Sequence, residues 1–131
     1  MIKIPQHIID GIIAQAKAEL PNEACGLLTG LGDTVQKQYP LTNVDHSPEH
    51  FSFDPREQFQ VLKSARAEGQ KIIANYHSHP ATPARPSEED KRLAFDPNVS
   101  YLIVSLAAEQ PVVKAFSLVD GDLIPNEILV V

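Results

Sequence analysis

The 131-residue sequence predicts one α/β layered domain over residues 1–131, with a mixed, mostly antiparallel sheet flanked by helices. Near the N-terminus, apolar residues recur at helical spacing: Ile8, Ile12, Ala16 and Leu20. Elsewhere, short apolar runs alternate with turn-forming residues, as in strands connected by hairpins. A hydrophobic content of 43% and a charged content of 21% are ordinary for a globular domain.

The N-terminal half of the chain is predicted to form two helices and several short strands. Pro21 ends the first helix, because proline cannot continue it. The second helix has Asp54 at its N-cap and Pro55 at its first helical position, and Gly69 closes it. In chain order, the predicted elements are an edge strand over residues 1–4, a helix from residue 5 or 6 to 20, strands over 24–30, 34–40 and 41–44, a loop over 45–49, a short strand over 51–53 and the second helix.

The C-terminal half is predicted to contain a short helix between longer strands. An apolar run over residues 71–77 predicts a strand that leads directly into a pair of histidines. A helix over residues 87–95 is stopped by Asp96-Pro97. The remaining predicted strands cover residues 101–106 and 112–118, with a turn at Gln110-Pro111, and a last strand begins at Leu123 or around residues 128–131.

The charge balance narrows the range of partners. The formal net charge is −6, and no basic run exceeds the Lys91-Arg92 pair. This argues against a nucleic-acid or anionic-membrane surface. The lone Cys25 excludes an intramolecular disulfide, fits a reducing compartment, and is expected to pack as a small buried side chain. With neither a signal-peptide pattern nor an apolar run of membrane-spanning length, a cytoplasmic location is expected.

The most informative segment combines a His-x-His pair, His77 and His79, with a Ser-x-x-Asp sequence at Ser87 and Asp90. Side chains at positions i and i+2 of a strand point to the same side, so the two histidines can converge on one ion. If a helix starts at Ser87, Asp90 lies one turn into that helix. Its side chain can then point back toward the end of the strand that carries the two histidines. Two histidines and one carboxylate leave one open position on a tetrahedral zinc ion, as in catalytic sites.

Each part of this motif also has a simpler explanation. The two histidines can be ordinary surface or core residues. Ser87 and Asp90 have the spacing of a helix capping box, with Asp in place of the usual Glu. Capping and metal binding are compatible, so both explanations stay open. The remaining histidines are expected at the surface: His7, His46 and His50.

Metal-assisted hydrolysis also needs a base that takes a proton from water and returns it to the leaving amine. The candidates are Glu23, Glu88 and Glu89, with Glu49 and Glu57 more distant. Acidic residues in the first turn of a helix suit its dipole without any catalytic role, which weakens the case for Glu88 and Glu89. Glu23 precedes a buried-looking strand whose glycines allow close backbone approach. Its alternative explanation is a solvated turn residue after Pro21-Asn22.

Residues 21–30, Pro-Asn-Glu-Ala-Cys-Gly-Leu-Leu-Thr-Gly, together with His77-Ser78-His79-Pro80, Ser87 and Asp90, resemble the JAMM (MPN+, Mov34/PAD-1-like) metallopeptidase family in its compact prokaryotic form. The resemblance covers nearly the whole chain and implies a JAMM/MPN fold, which is cytidine-deaminase-like. It implies that His77, His79 and Asp90 bind zinc. It also implies that Glu23 is the general acid/base and that Ser87 stabilises the oxyanion. No essential position of the pattern is missing.

The same resemblance implies a zinc metallopeptidase that hydrolyses peptide or isopeptide bonds after the C-terminal Gly-Gly tail of a ubiquitin-like or sulfur-carrier protein. The alternative is a non-catalytic MPN-type scaffold module, although such relatives typically lose the ligands that this chain keeps. The acidic balance disfavours a nucleic-acid-associated relative. The absence of a Pro-Cys-x-x-Cys segment disfavours a zinc nucleoside deaminase. The oligomeric state stays open.

Overall fold

The computed structural model describes residues 1–131, which form eight strands and three helices. In chain order these are β1 (Ile2–Ile4), α1 (Gln6–Ala18), β2 (Cys25–Leu31), β3 (Thr34–Leu41), α2 (Pro55–Ala67), β4 (Lys71–His79), α3 (Glu88–Leu93), β5 (Ser100–Ser105), β6 (Val112–Val119), β7 (Asp122–Asn126) and β8 (Ile128–Val130). None of the helices is long and apolar enough to span a bilayer.

All eight strands belong to one mixed sheet, in the order β7-β6-β5-β4-β2-β3-β1-β8. Four neighbouring pairs are antiparallel and three are parallel, which confirms the predicted mixed, mostly antiparallel sheet. Strand β4 lies near the middle, between antiparallel β2 and parallel β5. Strand β2 pairs with β4 from Lys71 to His77, and β5 pairs with it from Ala74 to His79, so the sheet holds the C-terminal end of β4 in place.

The helices cover opposite faces of this sheet. Leu27 and Leu28 are consecutive in β2, so their side chains point to opposite faces. Leu28 packs in the main core with Ile8 and Ile12 of α1, whereas Leu27 packs with Val61 of α2. Burial of these aliphatic side chains provides the main driving force for folding. The predicted layered α/β architecture is thus confirmed.

A close contact between β2 and β4 explains one glycine. A Cβ atom on Gly26 would collide with the Tyr76 hydroxyl, so only glycine leaves room for the buried Tyr76 ring. The prediction that the β2 glycines allow close approach is confirmed here. Because Tyr76 faces the α1 side, the next residue, His77, points to the other face of the sheet.

Two segments that were predicted to be strands form loops, and one predicted edge strand lies inside the sheet. Residues 41–44 and 51–53 do not form strands; Leu41 ends β3, and a single bridge joins Asn43 to Phe53. The Asn43 amide instead donates to the carbonyls of Glu23 and His50, which fixes this segment as a loop. Strand β1 is not at the sheet edge, because β8 pairs along its outer side.

Helix ends also differ from the prediction. Helix α1 ends at Ala18 because proline disfavours helical geometry in the residue before it, Leu20. Helix α3 ends at Leu93 because the backbone amides of Phe95 and Asp96 donate to the Tyr101 hydroxyl, at 3.3 and 2.9 Å, and leave the helical path. Both C-terminal alternatives are strands, β7 and β8.

Candidate metal centre

The C-terminal end of β4 presents His77 and His79 on the same side of the strand. Their Nε2 atoms are 3.1 Å apart, and both residues are only 5% exposed. His77 is paired in register with Cys25 of β2 and Ile103 of β5, so the sheet fixes its backbone on both sides. The Phe51 ring stacks on His77 with centroids 4.5 Å apart, which holds the imidazole plane. The predicted convergence of the two histidines is confirmed.

Asp90 reaches the histidines from the first turn of α3. Its Oδ2 atom lies 3.2 Å from His77 Nε2 and 3.1 Å from His79 Nε2. The same oxygen accepts a hydrogen bond from the Ser87 backbone amide, and Ser87 Oγ accepts one from the Asp90 amide. The capping box and the convergence of Asp90 on the histidines therefore occur together, as the sequence allowed.

The hydrogen-bond pattern around His79 shows that a positive charge belongs among these three side chains. His79 Nδ1 lies 2.9 Å from the Pro83 carbonyl, which can only accept a hydrogen bond. Nδ1 must therefore carry a proton, and in neutral imidazole the lone pair is then on Nε2. That lone pair points at the Asp90 carboxylate oxygen, another acceptor. A proton or a metal ion must bridge the two atoms, so the donor set fits a metal cation.

The electrostatics of the three groups follow from the same geometry. Burial lowers the pKa of His77 and keeps its imidazole neutral, the form that binds metal. Burial would also raise the pKa of Asp90, but hydrogen bonds from His77 and His79 outweigh it and hold that pKa well below the ordinary range. For His79, the hydrogen bonds to Asp90 and Pro83 outweigh burial and raise its pKa.

Glu23 lies beside this cluster, in the loop that leads into β2, and is 5% exposed. Its backbone amide donates to the Ser47 carbonyl at 2.8 Å, and its carbonyl accepts from Asn43 Nδ2 at 3.0 Å. The next residue, Ala24, exchanges two hydrogen bonds with Ser78, which lies between the two histidines. These bonds fix Glu23 relative to the His-x-His pair.

The Glu23 carboxylate itself makes no hydrogen bond or ion pair. Burial raises its pKa to about 8; the smaller effect of His79 lowers that pKa, and the smaller effect of Asp90 raises it. The alternative of a solvated turn residue is wrong. A buried carboxyl group with a pKa near neutrality can both accept and return a proton, which is the requirement for a general acid/base.

Two cavities flank the three convergent side chains. A cleft of about 740 Å³ lies on the side of His79 and is also lined by Glu23 and Ser87. A smaller pocket of about 200 Å³ lies on the side of His77 and Asp90. Its wall is mainly apolar: Phe51, Phe53, Leu93, Phe95, Tyr101, Ile103 and Leu123. The candidate metal centre therefore opens onto two cavities, one lined by several charged and polar residues and the other mainly by aromatic and aliphatic ones.

The other candidate residues lie outside the cluster. Cys25 is buried, burial raises its pKa to about 12, and a thiol that holds its proton so firmly is a poor nucleophile. Glu57 binds the Thr42 backbone and hydroxyl. His7 and His46 are exposed, as expected. His50 is exposed too, but its Nδ1 pairs with Glu89 at 2.7 Å on the rim of the larger cleft.

Residues 5–119 match the family model Prok-JAB, described as prokaryotic homologs of the JAB domain. The chain belongs to this family. The resemblance to JAMM proteins that the sequence motifs carry is thereby confirmed.

Two relatives of this Prok-JAB chain have names that specify an activity. The CysO-cysteine peptidase of Mycobacterium tuberculosis is 31% identical over 134 residues, which cover 100% of this chain and 92% of that protein. The desampylase of Haloferax volcanii is 34% identical over 103 residues, covering 73% of this chain and 74% of that protein.

Solved structures show the same fold. The solution structure of protein DSY2949 from Desulfitobacterium hafniense is 51% identical, has a TM-score of 0.90, and covers 100% of this chain and 93% of its own. A structure described as JAMM, a metalloprotease-like zinc site in the proteasome and signalosome, is 25% identical with a TM-score of 0.63, covering 100% of this chain and 98% of its own. The Prok-JAB chain thus has a JAMM-type fold.

Proposed function

We propose that this Prok-JAB chain is a zinc metallopeptidase in which His77, His79 and Asp90 are the metal ligands, Glu23 is the general acid/base and Ser87 is the oxyanion donor. The observation that carries the proposal is the convergence of two imidazole nitrogens and one carboxylate oxygen, His77 Nε2, His79 Nε2 and Asp90 Oδ2, which lie within 3.2 Å of one another. Nitrogen and oxygen ligands in a three-residue set are typical of catalytic zinc. Bound zinc would supply a Lewis acid that polarises a carbonyl and makes water more acidic.

Glu23 performs the proton transfers. Its carboxylate takes a proton from the attacking water and then delivers it to the departing nitrogen. The hydroxide adds to the carbonyl carbon of the substrate and gives a tetrahedral oxyanion; the C–N bond then breaks as Glu23 protonates the nitrogen. A raised pKa suits both steps, since the group must be a base early in the reaction and an acid later. The hydrogen bonds of the Asn43–Ser47 loop and of Ser78 keep the Glu23 backbone in place while this happens.

Ser87 is suited to stabilise the oxyanion. Its Oγ accepts the Asp90 amide hydrogen bond of the capping box, so the hydroxyl hydrogen is left to donate elsewhere. The residue is exposed and lines the same cleft as Glu23 and His79. A preorganised donor toward a developing oxyanion is a common source of catalytic power. The capping role and the proposed catalytic role use different parts of one hydroxyl group.

The proposed substrates are conjugates of ubiquitin-like or sulfur-carrier proteins, cut after a Gly-Gly tail. The names of the mycobacterial and haloarchaeal relatives support this class. Glycine suits a narrow strand-like channel because it has no side chain to obstruct it. The free, buried Cys25 thiol is consistent with a protein that acts in the reducing cytoplasm.

The test uses a sulfur-carrier protein extended beyond its Gly-Gly end, read by intact mass spectrometry. We expect loss of the extension with zinc-loaded enzyme, no loss after treatment with chelator, and recovery when zinc is restored. A matched carrier with Gly-Leu at the junction should be cut far more slowly. Intact substrate across a panel of carriers, with zinc shown to be bound, would contradict the proposal and favour a scaffold module.

A further inference from the structure

The larger of the two cavities carries an uneven charge. Its lining includes four glutamates, Glu23, Glu49, Glu88 and Glu89, and no lysine or arginine. We call this cavity the acidic cleft. The nearest compensating groups are weak: Lys91 Nζ lies 3.6 Å from Glu88 at an exposed position outside the lining, and exposed His50 pairs with Glu89. Glu49 has no cationic partner. The four glutamates of the acidic cleft therefore outnumber the two basic residues of its lining, His50 and His79.

Glu23 is the feature of the acidic cleft that points to a ligand. The residue is 5% exposed, its carboxylate makes no hydrogen bond, and it lines the cleft. In the proposed function this carboxylate hands a proton to the departing nitrogen, so that nitrogen must come within hydrogen-bond reach of it. The atoms attached to the nitrogen then lie in the acidic cleft. The apolar pocket on the other side touches neither Glu23 nor Ser87, so it is not where the leaving group departs.

We propose that the acidic cleft is the leaving-group site, and that Glu49, Glu88 and Glu89 make it select leaving groups with a positive charge and reject those with a free carboxylate. This inference rests on the proposed function and specifies its substrate class. It favours isopeptides to lysines within positively charged segments over tails that end in a single amino acid. Hydrolysis is otherwise unchanged: water supplies hydroxyl to the carbonyl carbon and a proton, through Glu23, to the released nitrogen.

Two matched substrate pairs isolate this charge effect on one Gly-Gly carrier. The first pair ends in cysteine, either as the free acid or as the amide; cysteine is the amino acid in the mycobacterial relative's name. The second pair carries lysine amide linked through its ε-nitrogen, with the α-amine either free and cationic or acetylated and neutral. We expect kcat/KM to be roughly 5- to 30-fold higher for the cysteine amide substrate than for the free acid. The same ratio is expected for the lysine substrate with a free α-amine over the acetylated one, because partly screened charges within one cleft interact with energies of this order. Both ratios should shrink at high salt.

Variants assign the effect to the cleft. Glu49→Gln/Glu88→Gln removes two negative charges without touching the proposed catalytic residues, and should reduce each ratio at least about threefold. Glu109→Gln makes the same type of change at an exposed position outside the acidic cleft, so it should leave the ratios unaltered. Because these measurements compare substrates on one enzyme, a loss of stability in a variant does not imitate the expected result.

The outcomes separate the two proposals. Efficient cleavage of all four substrates at equal rates, or a preference for the free acid, would overturn the leaving-group inference and leave the peptidase activity established. Ratios that survive in the double variant would overturn the assignment to Glu49 and Glu88. Cleavage of none of the four, with zinc shown to be bound, would overturn the proposed function and this inference with it.

Discussion

The ligand cluster joins two regions that are packed very differently. His77 and His79 lie buried at the end of β4, where His77 pairs with strands on both sides and His79 pairs with β5. Asp90 lies in α3, a six-residue helix with no buried residue, and Ser87 is the N-cap of that helix. The strand end is preorganised by the sheet, whereas α3 depends on its capping box and on the contacts of Asp90. A bound cation would therefore connect a rigid region to a weakly packed one, and the two regions should respond differently to mutation.

The largest effect is expected from removing a ligand on either side. His77→Ala and Asp90→Ala should each weaken zinc binding by more than the roughly 10- to 100-fold that loss of a supporting residue causes. Wild-type protein should bind about one zinc ion per chain, since the three side chains form one site. Metal analysis after zinc reconstitution measures this, and exposed His46→Ala is the control. Full zinc content in Asp90→Ala would mean that α3 supplies no ligand.

The next effect is expected on the rigid side, where Glu23→Gln should keep zinc and fold. The amide has nearly the same shape, but it cannot accept and return a proton. We expect kcat to fall about 100- to 10,000-fold, the range typical of general acid/base catalysis. Steady-state rates on a carrier conjugate, with zinc content measured on the same sample, provide the test. Wild-type turnover in this variant would assign the base to another residue.

The sequence could predict the parts of the site that depend on local spacing within one strand or one helix. The His-x-His pair follows from the two-residue period of a strand, and the Ser87–Asp90 capping box from spacing within one helical turn. Both patterns are local, so their residues come together as predicted. The role of Glu23 as general acid/base was inferred from the resemblance to the JAMM family, because motif spacing alone did not distinguish it from the other glutamates. Its burial was not evident from Pro21-Asn22, the turn residues beside it.

What the sequence did not predict depends on contacts between distant segments. Asn43 holds the Glu23 and His50 carbonyls, and Phe51 stacks on His77, yet neither residue belongs to a recognisable motif. The alternation of residues 51–53 resembled a strand because Phe51 and Phe53 both pack inward. The Tyr101 hydroxyl that ends α3 comes from β5. Only the fold brings these groups together, so short-range periodicity carries no signal for them.

A smaller effect is expected on the α3 side from Ser87→Ala. Loss of one oxyanion donor should lower kcat by about 100- to 1,000-fold or less, with little change in substrate binding. Loss of the cap should also cost about 1 kcal/mol of stability. Ser87→Thr keeps the hydroxyl and should recover most of the activity, which separates the two causes. Equal loss in Ser87→Ala and Ser87→Thr would indicate that the hydroxyl has no catalytic role.

The smallest effect concerns stability and compares a buried acid with an exposed one. The pKa of Glu23 is raised from 4.5 to about 8 by burial, whereas the Glu88 side chain is 93% exposed. Between these two pH values the folded protein keeps a proton on Glu23 that the unfolded chain has lost. The free energy of unfolding therefore falls as pH rises through this window. Glu23→Gln removes that decline, and Glu88→Gln does not.

Thermal unfolding of metal-free protein between pH 5 and pH 8 measures this difference. A nearby cation would lower the pKa of Glu23, so the metal must first be removed with chelator. Relative to wild type, Glu23→Gln should gain roughly 3–6 °C in Tm over this range, while Glu88→Gln should stay within about 1 °C. The shifts of His77 and Asp90 are common to all three proteins, whereas loss of the Glu23 charge also removes one of the smaller effects that raise the pKa of His79. A Tm difference for Glu23→Gln that does not vary with pH would show that its carboxylate is hydrated in solution, and the general-base assignment would then lose its electrostatic support.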